Sequence, residues 1–587
     1  MSGDLTTLPE LLERAAGHGD AGLRFVDGAE SAGWFPWPLV RERALDGCGR
    51  LQARGVSPGD RVALVLPTSI EFFDAFFGVL LAGAVPVPLY PPVRLGRLDE
   101  YAARTARMLE LVRATVVVTD RRVRRLLGPA VAAARPRLGC VVLDELADSD
   151  PHPAPGAPQD LALVQFSSGT TVDPKPVALS HRAVVAQTLR LKAYWPQPEG
   201  RTVDSGASWL PLYHDMGLIG CVLPALEHPG TLTLIPPELF IARPALWLQT
   251  ISRHRATISP APNFAYGLCL DKIRDEELDG VDLSCWRIAL NGAEPVAPRV
   301  LRGFCERFAR WGFSSAAMTP VYGLSEAALA VTFSDVAVPF EARRFDREQL
   351  AREGRAVDAA DGVELVALGR PLPDFALAIV DDAGAELAPG QVGHLLVRGP
   401  SLMDGYLDQP EATAGVLRDG WLDTGDLGFL HDGQLYLTGR AKDVLILRGR
   451  NHSPHEVEDA VDSVAGARAG CAVAVSWLPE GDSGERLLLL VEARRDVPGS
   501  DYPRIARECA GAVRAAAGLD PDHVEVLVPG TLPRTSSGKL RRAETLRRWL
   551  AGELDPPAAV TPLRVLAAAA RSRLAFARMR LDSDERS

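Results

Sequence analysis

Short aliphatic and β-branched runs, each about one strand long, alternate with segments of helical period along most of this 587-residue chain. The runs include RVALVLP (61–67), ATVVVTD (114–120), LALVQF (161–166), ATISPAP (256–262) and RIALNGAEP (287–295). Helical patterns such as Ser69–Ala82 and Tyr101–Arg113 lie between them. Strands joined through helices pair in the same direction, so the alternation predicts an α/β fold with largely parallel sheets. From about Gly393 the pattern turns to hairpins, HLLVRGP and then FLHDGQLYLTGR, with Asp432-Gly433 as a two-residue turn. Beyond Gly439–Lys442 comes an α+β unit of ordinary domain size, with helices at His455–Val464 and Tyr502–Ala517 and strands at 471–477, 486–494 and 523–530. Asp555-Pro556-Pro557 then breaks the chain, and a last helical stretch, Pro562–Arg580, is expected to be peripheral.

Charge and cysteine usage narrow the class. Lys+Arg is 64 and Asp+Glu is 75, a formal net charge of −11, which argues against a nucleic-acid coat or a polybasic membrane binder. The eight cysteines are scattered without CxxC or metal-ligand spacing, as expected of reduced, buried thiols in a cytoplasmic protein. No basic-then-apolar leader opens the chain. The longest uncharged stretch, Ala75–Val93, holds Pro86, Pro88, Pro91 and Pro92, so it reads as a buried helix running into a loop and no stable membrane insertion is expected.

Only five of the 64 basic residues are lysines: Lys175, Lys192, Lys272, Lys442 and Lys539. A compact ammonium suits tight phosphate sites that a planar guanidinium does not. Three of the five fall in short polar tracts. The first runs from Gln165 to Lys175 and places Ser167, Ser168, Thr170 and Thr171 around Gly169, just after a strand. Its N–H groups and hydroxyls suit phosphate oxygens, with Lys175 as a point charge. It is not a GxxxxGK[ST] loop, and by itself it reads equally as a surface turn. The second, GWLDTGDLGF (420–429), is followed by GRAKD (439–443). There Asp426 suits ribose hydroxyls and Arg440 backs it, although an Asp-Gly turn and a solvated ion pair would look the same. The third, PRTSSGK (533–539), sets Lys539 on a glycine-hinged polar loop.

Together with NGAEP (291–295) and YGLSEA (322–327), these tracts stand in the order found in the adenylate-forming superfamily, which the chain resembles over about residues 5–550. That superfamily includes acyl-CoA synthetases, adenylation domains and luciferases. The resemblance implies a large multi-subdomain N-terminal adenylate-forming domain (1–438), a hinge (439–442) and a small mobile α+β lid (443–550), with 551–587 as linker, peripheral helix and tail. It implies ATP and Mg²⁺ as cofactors. Ser167, Ser168, Gly169, Thr170, Thr171 and Lys175 would hold phosphates, and Asn291, Gly292, Ala293, Glu294, Tyr322, Gly323 and Ser325 would line the adenine site. Glu326 would hold the metal, Asp426 and Arg440 the ribose, Lys442 the hinge, and Lys539 would be the catalytic lysine.

Within the superfamily the chain is most similar to fatty acyl-AMP ligases. PLYPPVRLGRLDEY (88–101) and WLPLYHDMGLIG (209–220) carry that resemblance, with an insertion at about Phe333–Leu368. It implies that a fatty acid is activated and passed to an acyl carrier protein acting in trans, with His214 lining the acyl channel. The family's phosphate loop has glycine where this chain has Val172 and Pro176. An acyl-CoA synthetase and a catalytically impaired homologue are the alternatives.

Other motifs carry less. GLSEA (323–327) nearly matches GxSxG but ends in Ala327, and no partner acid and histidine can be singled out. His452 and His455 have no third metal ligand in view. His214 and Asp215 are adjacent, so their side chains need not face each other, and a catalytic dyad is not favoured. No nucleic-acid motif is present.

Overall fold

In a computed structural model the described residues are 6–27, 32–92, 95–167, 174–195, 204–447, 450–479, 485–535, 538–558 and 560–584. The largest sheet has nine strands, and at its centre Ile288–Asn291 lies parallel between Ile258–Ala261 and Met318–Gly323. A second sheet, wholly parallel, orders Val85–Pro88, Arg61–Val65, Val116–Thr119 and Cys140–Val142. Helices connect these strands, as the alternation in the sequence predicts.

The uncharged stretch behaves differently in its second half. Helix Ile70–Leu81 buries every residue except Glu71, which is why it is apolar on all sides without crossing a membrane. No helix among the described residues is long and apolar enough to do so. The segment expected as a loop is instead strand Val85–Pro88, paired with Arg61–Val65. It is the edge of its sheet, the place where Pro86 and Pro88 can sit without interrupting a ladder.

The N-terminal helix Leu8–Ala16 is pinned by a histidine. His181, 2% exposed, accepts the Leu8 N–H at its Nδ1 (3.1 Å). Burial pulls its pKa down to about 4, with Asp160 and Glu10 opposing. The unfolded chain therefore takes up this proton first, and stability rises with pH between about 4 and 6.5. Acidifying through that window should remove up to about 3 kcal/mol. In His181→Gln, whose amide still accepts, thermal melts should show a flatter pH dependence; an unchanged slope would discount His181.

Beyond Asp443 the chain builds its own core. Strands Ala467–Trp477, Arg486–Ala493 and His523–Leu527 form one sheet. Helices Pro454–Val461 and Tyr502–Ala517 cover one face, and Leu546 and Trp549 of helix Arg542–Leu550 pack on the other. The final helix, Pro562–Asp584, is not loosely peripheral: it packs along Arg121–Ala134 of the large domain. Ser572 receives the Gly128 N–H at 2.8 Å and donates to the Arg124 carbonyl at 3.2 Å. A Cβ on Gly128 would lie 2.3 Å from the Ser572 carbonyl oxygen, so two small residues set this close approach.

Candidate active site

The site forms at the carboxyl ends of the central parallel strands, where open α/β sheets bind ligands. Asn291 ends one strand, and Tyr322 and Gly323 end its neighbour. A Cβ on Gly323 would strike the Leu329 carbonyl at 1.8 Å, so this return of the chain accepts only glycine. Asn291 donates from Nδ2 to Asn263 Oδ1 (3.3 Å), while its own Oδ1 is buried without a partner among the described residues. Gly292 abuts Val321, and Ala293 takes a left-handed φ of 68°. Glu294 accepts the Phe264 N–H at 2.5 Å, and burial raises its pKa, with the Phe264 bond and Lys539 opposing.

The ribose tract is not a simple turn. Asp426 and Arg440 are partners across the hairpin Trp421–His431/Gln434–Arg440, and their side chains pair at 3.0 Å. Tyr322 Oη donates to the other oxygen of Asp426 at 2.6 Å. Burial, then the Asp426 charge, push the Tyr322 phenol well above its usual range, so it remains a donor. The strand runs through Arg440, so Gly439 and Arg440 pair within the large domain's sheet. The turn Ala441–Asp443 follows, with Ala441 N–H donating to the Gly425 carbonyl and Asp443 N–H to the Arg440 carbonyl, each at 3.0 Å. Lys442 in it is exposed.

Ser168, Gly169, Thr170, Thr171 and Val172 lie outside the described residues. The ends of their loop are drawn together by Ser167 N–H to the Lys175 carbonyl (2.9 Å). Pro176 is not in the loop: it opens strand Pro176–Ser180, opposite Phe166, a position where a strand tolerates proline. Lys175 Nζ stands 4.4 Å from the centroid of the Tyr406 ring. Tyr406 Oη in turn donates to Glu326 Oε1 at 3.0 Å. Tyr406 thus joins Lys175 to Glu326.

His214 and Asp215, whose adjacency left the point open, do face each other. His214 Nδ1 lies 2.6 Å from Asp215 Oδ1, because the tight turn before Gly217 starts a short helix at Asp215. A Cβ on Gly217 would lie 2.2 Å from the Pro211 carbonyl. Ser325 Oγ donates to the other Asp215 oxygen (2.5 Å), so its hydroxyl is committed there. Burial opposes ionisation of Asp215, yet His214, Ser325 and Lys539 together hold its carboxyl well below the usual range. Two tracts of the fatty acyl-AMP ligase resemblance also meet, with the rings of Tyr90 and Tyr213 6.1 Å apart.

Lys539 closes the site from the small domain. Its loop is braced by Thr535 N–H to the Lys539 carbonyl (2.8 Å) and Lys539 N–H to Thr535 Oγ1 (3.0 Å). Burial lowers its pKa, with Asp215, Glu294 and Asp426 opposing and Arg440 adding to the drop. These four charged groups come from tracts spread over more than 200 residues and act on one ammonium.

Three groups escaped the sequence reading. Asp215 was set aside for its adjacency to His214. Tyr406 stands in no motif. Arg542 is nine-tenths buried and binds Asp443 (3.0 Å), Glu458 (2.5 Å) and His455 (2.9 Å), tying the residue after Lys442 into the lid. Its place in GKLRR, just after Lys539, was the available signal.

Known proteins show the same organisation. The family model described as AMP-binding enzyme matches residues 14–407. A Caulobacter vibrioides protein named "Putative acyl-CoA synthetase" is 37% identical over 569 residues, 94% of this chain and 96% of that one. A long-chain-fatty-acid–AMP ligase of Mycobacterium marinum is 33% identical, over 87% of this chain and 91% of the relative. A solved structure from studies of fatty acyl-adenylate ligases of E. coli and L. pneumophila superposes with a TM-score of 0.86 at 33% identity, covering 94% and 99% of the two chains. The chain belongs to the AMP-binding enzyme family and is an adenylate-forming α/β ligase with that family's large N-terminal and small C-terminal domains.

Proposed function

We propose that the chain activates a fatty acid as its acyl-adenylate and passes the acyl group to the phosphopantetheine thiol of an acyl carrier protein supplied in trans. One observation carries the first half: the small domain's half-buried Lys539 ammonium feels the charges of Asp215, Glu294 and Asp426 of the large domain. In that pose the fatty carboxylate attacks the α-phosphorus of ATP and pyrophosphate leaves. The chain's work is positioning and charge neutralisation. Lys539 neutralises the attacking carboxylate and the charge growing on the α-phosphate. Asp426, fixed by Arg440 and Tyr322, receives the ribose hydroxyls, and Tyr322 offers its ring to adenine beside the Asn291–Glu294 edge. Ser167, Lys175 and the loop between them bind the outer phosphates, and His214, anchored on Asp215, borders the carboxyl end of the acyl channel.

Glu326 fits a Mg²⁺ that arrives with the nucleotide. Its Oε1 takes the Tyr406 hydroxyl and its Oε2 has no hydrogen-bond partner among the described residues. No group of three or more His, Cys, Asp or Glu forms a resident metal cage among them. Magnesium is commonly held by one or two carboxylates plus substrate phosphates. When bound, it would supply positive charge to the phosphate oxygens.

For transfer, the lid turns about Ala441–Lys442, withdraws Lys539 and opens the cleft to a thiol. Support for a carrier protein over CoA comes from the inserted segment. Strands Ala342–Phe345 and Val363–Val366 pack on the Asp426 hairpin through Phe345, Phe429 and Tyr436. Arg347, between them, forms an ion pair with Glu456 of the lid. That contact restrains the lid, which disfavours a small diffusing thiol relative to one delivered by a docked protein.

Acyl-CoA synthesis is the second reading, favoured by the Caulobacter relative. With ATP, Mg²⁺ and a long-chain fatty acid, pyrophosphate exchange should be robust, and acyl transfer to a phosphopantetheinylated carrier should exceed transfer to CoA by about 10²-fold or more in kcat/KM, at least 2.7 kcal/mol of transition-state preference. Efficient acyl-CoA formation would establish the second reading. Absence of exchange with any carboxylic acid would mark the chain as an inactive homologue.

A further inference from the structure

The C-terminal helix Pro562–Asp584 presents an apolar stripe to solvent on the side away from its contact with Arg121–Ala134. Ala568 and Ser572 are buried against the large domain, and Phe576 packs on that domain's core. On the opposite side Leu563, Leu566 and Leu574 are 79%, 66% and 59% exposed. At 3.6 residues per turn these leucines, with the exposed Ala567, Ala570 and Ala577, fall within about 100° of arc along about 21 Å of helix. A contiguous exposed stripe of this kind marks an interaction surface, whereas singly exposed leucines do not.

The charges around it identify the occupant. Arg564, Arg571 and Arg578 recur every seven residues along one flank, and Arg573 stands on the other. Arg571 pairs with Asp99 at 3.0 Å, while Arg564, Arg573 and Arg578 enter no ion pair among the described residues. The helix beneath, Arg121–Ala134, contains four arginines and no carboxylate. Its Arg122 and Arg125 are exposed and in no ion pair among the described residues. In a chain whose net charge is −11, this pair of helices is a concentrated positive face. Protein-binding patches are enriched in aromatic residues, but this stripe is only leucine and alanine, and the helix's one aromatic, Phe576, is turned inward. Leucine on the outward line with arginines reaching past it on both sides suits a helix lying in the plane of a lipid interface.

We propose that this face seats the protein on an anionic lipid surface, with the three leucines entering the acyl boundary and the flanking arginines meeting lipid phosphates. The attachment is peripheral. It goes beyond the acid-activation reading and does not rest on it.

Flotation of the full chain with vesicles of equimolar phosphatidylglycerol and phosphatidylcholine tests this. The protein should float with them, bind pure phosphatidylcholine more weakly, and lose binding as salt is raised. The triple variant Leu563→Gln/Leu566→Gln/Leu574→Gln should partition about tenfold less or weaker still, with pyrophosphate exchange on a short water-soluble acid unchanged. Arg564→Gln/Arg578→Gln should reduce the preference for anionic lipid. No flotation of the wild type, or equal flotation of wild type and triple variant, overturns the proposal. So does a wild-type dimer by light scattering that the triple variant converts to monomer without any vesicle binding. Loss of binding to an acidic carrier protein in the triple variant, with flotation intact, would assign the stripe to a protein partner instead and equally overturn it.

Discussion

Replacing Lys539 with alanine should lower acyl-adenylate formation by about 10²–10³-fold, roughly 3–4 kcal/mol of transition-state stabilisation, while acyl transfer from pre-formed acyl-adenylate stays within about threefold. The asymmetry follows from where the ammonium stands. It is half-buried, its pKa is lowered first by burial, and it feels the charges of Asp215, Glu294 and Asp426. Charge brought into such a site acts on the developing α-phosphate charge with little water between, whereas transfer takes place after the lid has carried it away. Lys539→Arg should not restore the rate, because a planar fork does not replace a compact ammonium. Because burial depresses the pKa, adenylation should decline on the alkaline side at a pH below the ordinary lysine range. Pyrophosphate exchange and single-turnover transfer, measured on the same preparation, separate the two half-reactions. Equal losses in both would remove Lys539 from the role assigned here.

Lys442→Pro should show the opposite bias, with transfer reduced about tenfold or more and adenylation reduced less. The turn Ala441–Asp443 is where the chain leaves the large domain's last paired strand and enters the lid. On one side Arg440 is held by Asp426, and on the other Asp443 is held by Arg542, so rotation has to be absorbed between them. Proline fixes φ at 442 and restricts Ala441 before it. The Lys442 N–H makes no hydrogen bond among the described residues, so none is lost in the closed pose. The turn is closed by Asp443 N–H to Arg440, and its third position does not take proline freely, so some loss of adenylation is expected as well. The ratio of the two losses is the readout. A larger loss of adenylation than of transfer would place the pivot elsewhere.

Much of this was legible in the chain because local periodicity and short tracts are written in consecutive residues. The strand at Leu161–Phe166 and the helix at Tyr502–Ala517 have the bounds that their patterns predict. Asp432 and Gly433 both take positive φ between the two strands they were expected to join. The polar tracts around Asp426, Glu294 and Lys539, far apart in sequence, do converge. Where the reading failed, the deciding contact was non-local. Pro86 and Pro88 suggest a loop until the edge position of their strand is known. His214 and Asp215 meet because Gly217 lets the chain turn tightly against Pro211. The C-terminal helix reads only as peripheral until Gly128 and Ser572 are seen to bring two backbones together.

Legible in the chain alone were the class of fold, the order of the polar tracts and the rarity of lysine that singled out Lys175, Lys442 and Lys539. Those features depend on residue type and spacing along one chain. Other features rest on long-range packing: Tyr406 joins Lys175 to Glu326, Ser325 and His214 share Asp215, Arg440 pairs with Asp426 in the large domain's sheet, and the last helix lies against the large domain with its leucines outward. The physical reason is the same in each case. A hydrogen bond or close backbone approach depends on a partner tens to hundreds of residues away, and nothing in the local pattern encodes which group will be there once the sheets have packed.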